Sequence, residues 1–253
     1  MAFTLLFFTF TAIIIGTAAK PPQKILNGND ANLGEFPWMV SIQYEGLHIC
    51  GGAIISERHI LTAAHCFVGK YPAPYNKDIT VVTGSVDKYS GGQTHEVATV
   101  IPHENFQRGP TTRWRNDIAL VTLTDRIRFS RTQQKIDLPS SVTTRTFQAQ
   151  LSGFGLLTRG LLGESTVILK KSDVSVLTNE ECNKKNGRVF DDQICGFDGI
   201  DRGFCNGDSG SPLVYNYQVI GIVSFSPSCG IGYPDVYTRV YSFLEWIESA
   251  KSA

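Results

Sequence analysis

Charge of neither sign dominates this sequence: its 253 residues carry 23 basic and 23 acidic side chains, 18% of the total, for a formal charge of zero. Without residues 1–24, whose only charges are Lys20 and Lys24, 21 basic side chains face 23 acidic ones. That balance argues against nucleic acid or an anionic membrane surface as a partner. There is no internal repeat and no low-complexity tract, and with 42% hydrophobic residues the composition is that of a globular protein, not a disordered one. No Asn-x-Ser/Thr triplet occurs, so N-glycosylation is not expected. Long apolar runs are also missing. The longest, Leu5 to Ile15, is too short to span a bilayer.

That run is followed by the small residues Gly16-Thr17-Ala18-Ala19, the pattern of a secretory signal peptide cleaved after Ala19, although its first residues lack Lys and Arg. Residues 1–19 are therefore read as a signal peptide. The chain is expected outside the cell, where an even count of six cysteines fits an oxidising compartment. Downstream, Phe36–Ile42 and His48–Ile55 are short apolar or alternating segments punctuated by Gly and Glu. They lack helical periodicity and read as strands of an antiparallel barrel.

Three stretches carry chemistry. Phe204-Cys205-Asn206-Gly207-Asp208-Ser209-Gly210-Ser211-Pro212 places a hydroxyl in a glycine-rich turn. Gly207 and Gly210 allow backbone conformations that a side chain would obstruct, so the N–H groups of Gly207 and Ser209 can converge as an oxyanion hole. Taken alone, such a string is as readily a surface turn. Thr62-Ala63-Ala64-His65-Cys66 adds a histidine able to take a proton from Ser209 and return it to a leaving group. His48, His59, His95 and His103 lie in strand-like or polar stretches and read as surface or packing residues. Asn116-Asp117 opens the apolar run Ile118–Leu123, and Asp117 is either a strand cap or the group that orients His65.

In the order His65, Asp117, Ser209, these stretches resemble the trypsin/chymotrypsin-type serine endopeptidases, and the likeness runs from Ile25 to the C-terminus. The resemblance implies an all-β, chymotrypsin-like fold of two six-stranded antiparallel Greek-key barrels with a C-terminal helix, joined by a crossover near 129–141. It implies a peptidase domain over 25–253, with His65, Asp117 and Ser209 as catalytic residues and Gly207 and Ser209 as oxyanion donors. Six cysteines allow fifteen pairings. The resemblance selects Cys50–Cys66, Cys182–Cys195 and Cys205–Cys229. It also implies a zymogen: residues 20–24 form an activation peptide, a trypsin-like protease cuts after Lys24, and the freed Ile25 ammonium pairs with Asp208. Leu26 and Asn27 depart from the usual Val and Gly. In the loop Ser85–Gly92, Ser85 stands where a calcium-binding relative has a carboxylate, so no metal or other cofactor is expected.

In the second half, Ser152-Gly153-Phe154-Gly155 is similar to the family's Ser-Gly-Trp-Gly, and Leu156 to Glu164 reads as a surface loop. Thr178-Asn179-Glu180-Glu181 is a capping box opening a short helix. Tyr241–Ile247 has the apolar spacing of a C-terminal helix. Substrate choice is expected to depend on Gly203, Phe204, Ser224, Phe225, Ser226 and Asp235. Gly203 stands where enzymes that cut after Lys or Arg have Asp, which argues against trypsin-like specificity. Phe204 puts a ring into the pocket wall or packs behind it, and Ser226 replaces a Gly at the mouth. Gly203 with Asp235 is similar to arthropod digestive chymotrypsin-like and collagenolytic proteases. The expected activity is cleavage after apolar or aromatic residues. An elastase-like preference for small residues, or a non-catalytic homologue used as a binding module, are the alternatives. Peptide and protein substrates, protein protease inhibitors and a monomeric state complete the expectation. With no appended module between leader and Ile25, a digestive or effector role is expected in preference to a cascade role.

Overall fold

The structure is a computed structural model, and it describes residues 28–157, 165–186 and 189–253. The signal and activation segments, Ile25 and most of the loop expected over 156–164 lie outside the described residues. A two-residue strand β1 (Asn29–Asp30) comes first. Six strands follow: β2 (Met39–Tyr44), β3 (Leu47–Ile54), β4 (His59–Thr62), β5 (Ile79–Thr83), β6 (Gln93–Pro102) and β7 (Ala119–Leu123). They close into an antiparallel barrel of order β2-β3-β4-β7-β6-β5.

Six more form the second half: β8 (Phe147–Gly153), β9 (Lys170–Leu177), β10 (Gln193–Gly196), β11 (Pro212–Tyr215), β12 (Gln218–Phe225) and β13 (Asp235–Arg239). Their order is β8-β9-β10-β13-β12-β11, closed by the β11–β8 pairing, with β1 added on β9. Both rings thus follow one Greek-key order, and the sequence expectation of two six-stranded barrels holds.

Local chemistry explains the boundaries. Strand β2 begins at Met39 and not at Phe36, because Pro37 has no N–H for a ladder and Met39 N–H turns back to the Phe36 carbonyl. Glu45 and Gly46, with φ of 49° and 77°, make the tight turn that pairs Gln43 with His48 across the β2–β3 hairpin. The capping box is formed as expected. Thr178 Oγ1 accepts from Glu181 N–H at 3.2 Å and Glu181 Oε2 accepts from Thr178 N–H at 3.0 Å, opening α1 (Asn179–Asn186). A 3₁₀ turn, Val240–Phe243, leads into the C-terminal helix α2 (Leu244–Lys251), which buries Ile247 and Ala250.

The crossover is pinned to both barrels. Gln134 N–H donates to Pro37 O and Ile136 N–H to Ile54 O, while Val219 N–H donates to Asp137 O. Fully buried Ile42, Ile54, Ile60, Leu61, Ile118 and Leu120 fill the first barrel, and Leu151, Leu213, Val223 and Tyr237 fill the second. Disulfides join Cys50–Cys66, Cys182–Cys195 and Cys205–Cys229, the pairing that the resemblance implied. No helix among the described residues is long and apolar enough to cross a membrane.

Candidate active site

Ser209 sits where the two barrels touch. Its carbonyl accepts from Gly51 N–H of β3 at 2.8 Å, and Gly210 N–H donates to Val223 O of β12 at 3.0 Å, so each barrel holds one side of the turn. Gly207 and Gly210 have φ of 97° and 78°, the left-handed region the sequence argument asked of them. A Cβ at Gly210 would stand 2.6 Å from the Gly51 carbonyl oxygen and 2.2 Å from Thr62 Oγ1.

His65 lies in a 3₁₀ turn, Ala64–Cys66, directly after β4, and the Cys50–Cys66 disulfide ties that turn to β3. Asp117 immediately precedes the buried strand that begins at Ala119 and is itself wholly buried. Its Oδ2 is 2.7 Å from His65 Nδ1 and its Oδ1 accepts the His65 backbone N–H at 2.9 Å. A third donor, Ser224 Oγ, reaches Oδ2 at 2.6 Å. Ser224 can do so because β12 bulges between Val223 and Phe225, which aims the intervening side chain at the carboxylate. Because a carboxylate only accepts, Nδ1 carries the hydrogen and Nε2 is left with a lone pair. Trp114 meets the imidazole edge to face at 5.6 Å.

His65, Ser209, Ser224, Phe225 and Ser226 line one cleft of about 530 Å³ with Phe204, Asn206, Trp114, Lys70 and Arg108. A buried acid, an oriented imidazole and a half-exposed hydroxyl therefore meet in one solvent-reachable place. The family model described as Trypsin matches residues 25–247. The chain belongs to the trypsin family. It is 37% identical to Chymotrypsin-2 of Vespa crabro over 226 residues, 88% of this chain and 98% of the hornet protein. It is 36% identical to Transmembrane protease serine 11B of Homo sapiens over 237 residues, covering 90% of this chain but only 55% of the human protein. Among solved structures, neuropsin, a serine protease expressed in the limbic system of mouse brain, matches with a TM-score of 0.79 at 25% identity, covering 88% of this chain and 98% of that one. The protein is a serine endopeptidase.

Within this trypsin-family site, Asp208 is fully buried next to Ser209. Its Oδ1 accepts from Gly155 N–H at 2.8 Å and its Oδ2 from Cys205 N–H at 2.9 Å. Gly153 and Gly155 are needed for that approach, since a Cβ at either would stand 2.1 or 2.4 Å from carboxyl atoms of Asp208. Desolvation pushes the Asp208 pKa up to about 6, tempered by these two N–H groups and by the charge of Lys88.

His48 has a role that sequence reading missed. Its Nε2 faces the Gly207 carbonyl at 2.9 Å and its Nδ1 faces Ser41 Oγ at 2.8 Å. A carbonyl only accepts, so Nε2 carries the hydrogen and Ser41 donates to Nδ1. Burial lowers the His48 pKa to about 4, keeping the ring neutral. This bond holds the Gly207–Asp208 peptide plane, the one next to the plane that carries the Gly207 N–H, an expected oxyanion donor. The remaining histidines pack or brace: His59 on Ser56, His95 on Thr83, and His103 stacked on Trp246.

The residues expected to set specificity divide. Phe204, Ser224, Phe225 and Ser226 line the cleft, whereas Gly203 and Asp235 border a separate void of about 10 Å³. The Phe204 ring is buried in the second barrel against Tyr237, edge to face at 5.3 Å, and its N–H donates to Asp235 Oδ2 at 2.9 Å. Asp235 Oδ1 is buried without a hydrogen-bond partner among the described residues. Desolvation raises the Asp235 pKa to about 7, with the Ser226 hydroxyl and Phe204 N–H opposing the rise. The folded state thus holds this proton more tightly than the unfolded chain, and the residue's contribution to stability falls as pH rises from about 4 to about 7. Asp235→Asn is accordingly expected to gain on the wild type across that window, by roughly 10 °C in relative Tm between pH 4 and 8. Thermal unfolding of the full chain at both pH values checks this, and a constant difference would contradict it.

The one cluster of metal-capable atoms among the described residues is Cys50, His65 and Cys66. Both sulfurs are spent in the disulfide, so it is not a ligand set. Ser85, at the loop considered for calcium, donates its hydroxyl to the Asp87 and Ser90 carbonyls.

Proposed function

We propose that the protein is a secreted zymogen whose active form cleaves peptide bonds after apolar residues through an acyl-enzyme on Ser209. His65 Nε2 takes the Ser209 proton as the hydroxyl attacks the peptide carbonyl, then delivers it to the leaving amine. Asp117 holds the imidazole tautomer and stabilises the imidazolium, and the N–H groups of Gly207 and Ser209 stabilise the oxyanion. Water activated by the same imidazole releases the acyl group. The observation that carries this reading is the fully shielded Asp117 carboxylate 2.7 Å from Nδ1 of His65, which lines the same cleft as Ser209.

Removal of residues 1–19 as a signal peptide and cleavage after Lys24 by a trypsin-like protease would free the Ile25 ammonium. Asp208 is suited to receive it, being a buried carboxylate with no ion-pair partner among the described residues, whose pKa desolvation has raised. Protein inhibitors that occupy the cleft, and a monomeric state, belong to the same reading.

Cleavage after apolar residues is supported by the hornet Chymotrypsin-2 likeness and by the absence of a carboxylate among the residues lining the cleft. A preference for shorter apolar side chains is the second reading. It is favoured by the Phe204 and Ser226 side chains in the cleft lining and by the small volume of the void that Gly203 and Asp235 border. The test is hydrolysis of peptide amides differing at the residue before the scissile bond, using protein cut after Lys24 and a Ser209→Ala control. Turnover of Leu and Phe substrates supports the first reading, and turnover of Ala with loss of Phe the second. Phe204→Ala, by opening the wall in front of Asp235, is expected to raise Arg cleavage relative to Leu about tenfold or more. An unchanged Arg-to-Leu ratio would show that the ring does not separate substrate from this carboxylate.

A further inference from the structure

The first-barrel wall of the cleft carries two cations that the reaction does not use. Lys70 follows the His65 turn, and Arg108 comes from the loop between β6 and Asp117; both line the cleft with His65 and Ser209. Arg108 is docked in place, since its Nη1 donates to the Gly69 carbonyl at 2.9 Å. Gly69, with φ of 74°, makes room for it: a Cβ there would stand 2.1 Å from that nitrogen. Neither Lys70 nor Arg108 forms an ion pair among the described residues, and no carboxylate lines the cleft. Asp117, the acid beneath His65, is buried and its oxygens are taken by His65 and Ser224. Partial desolvation, and then the charge of Arg108, lowers the Lys70 pKa, as expected of two like charges awaiting an anion.

A bound peptide in extended conformation turns successive side chains to opposite sides. With the side chain of the cleaved residue directed to Phe204 and Ser226, the residue before it faces Trp114, Lys70 and Arg108. We propose that Lys70 and Arg108 select substrates with a carboxylate, Asp or Glu, at the residue immediately preceding the cleaved one. This inference rests on the reading of Ser209 as nucleophile and of the Phe204 wall as the seat of the cleaved residue.

The experiment uses protein cut after Lys24 and three peptide amides with Leu at the cleaved position and Glu, Gln or Lys before it. The expected order of kcat/KM is Glu, Gln, Lys, with Glu over Gln about fivefold at low salt and a smaller ratio at high salt. In the double variant Lys70→Gln/Arg108→Gln the Glu-to-Gln ratio is expected to fall to about one. In Lys70→Glu/Arg108→Glu the Lys peptide should overtake the Glu peptide. Ratios within each variant are read, so a partial loss of folded protein does not change them. Equal rates for Glu and Gln in the unaltered protein, or a ratio that survives both double variants, would overturn the proposal while leaving the Ser209 reading intact if the Gln peptide is cleaved and Ser209→Ala is silent. Absence of all hydrolysis would overturn both.

Discussion

Asp117→Asn is expected to lower kcat by about 10⁴-fold, the scale of the same exchange in the family's best-known member, while leaving the fold in place. Three donors converge on this carboxylate: His65 Nδ1–H and Ser224 O–H on Oδ2, and His65 N–H on Oδ1. An amide has only one accepting oxygen, so its NH₂ must face one of these donors. Turned toward Nδ1, it forces the hydrogen onto Nε2, and the imidazole then has no lone pair to offer Ser209. The volume hardly changes and no cavity forms, so a small change in Tm should accompany the large loss in rate. Steady-state kinetics with active-site titration would measure it. A loss below about tenfold would mean that Asp117 only caps its strand.

Gly210→Ala should be the most damaging single-methyl change near the site. At φ of 78° the residue lies in the left-handed region, and the added Cβ would collide with the Gly51 carbonyl at 2.6 Å and Thr62 Oγ1 at 2.2 Å. Neither neighbour yields easily. The Gly51 N–H holds the Ser209 carbonyl, and Thr62 Oγ1 donates to the Gly51 carbonyl at 2.8 Å. Strain and overlap together should cost about 2–4 kcal/mol of stability. Displacing the turn should lower kcat/KM by at least about 10²-fold. Gly46→Ala is the internal control, with φ of 77° but nothing within 4 Å of the added Cβ. It carries the backbone strain alone, so its activity should be normal and its destabilisation about 1 kcal/mol. Equal effects of the two changes would show that contact between the barrels at Gly210 does not position Ser209.

What the sequence made legible was local or tied to a motif. The glycines around Ser209 announce their positive φ, and Thr178 with Glu181 announces its cap. The alternation in β2 and β3 announces strands, although Pro37 delays the first of them to Met39. The relation between halves was less legible. That Gly153 and Gly155 leave room for Asp208, that His48 donates to the Gly207 carbonyl, and that Phe204 packs on Tyr237 all depend on residues brought together from distant parts of the chain. The His48 contact had a faint signal. The Glu45-Gly46 turn places His48 across from Gln43 and near Ser41, so a polar pair on the inner hairpin face could have been expected. Its partner Gly207 could not, since nothing in the hairpin specifies which loop of the second barrel covers it. Asp235 was readable as a buried acid near the pocket, but not its exclusion from the cleft lining.

Covalent trapping distinguishes a Ser209 nucleophile activated by His65 from an inert hydroxyl. Protein cut after Lys24 would be treated with an aryl phosphonate bearing an apolar side chain, and the adduct located by peptide mass spectrometry. One phosphonyl group per chain is expected, on Ser209, forming rapidly in the wild type, drastically slower in His65→Ala and absent in Ser209→Ala. A wild type with a confirmed Ile25 terminus that takes up no label, or carries it on another residue, would contradict the reading of Ser209 as nucleophile.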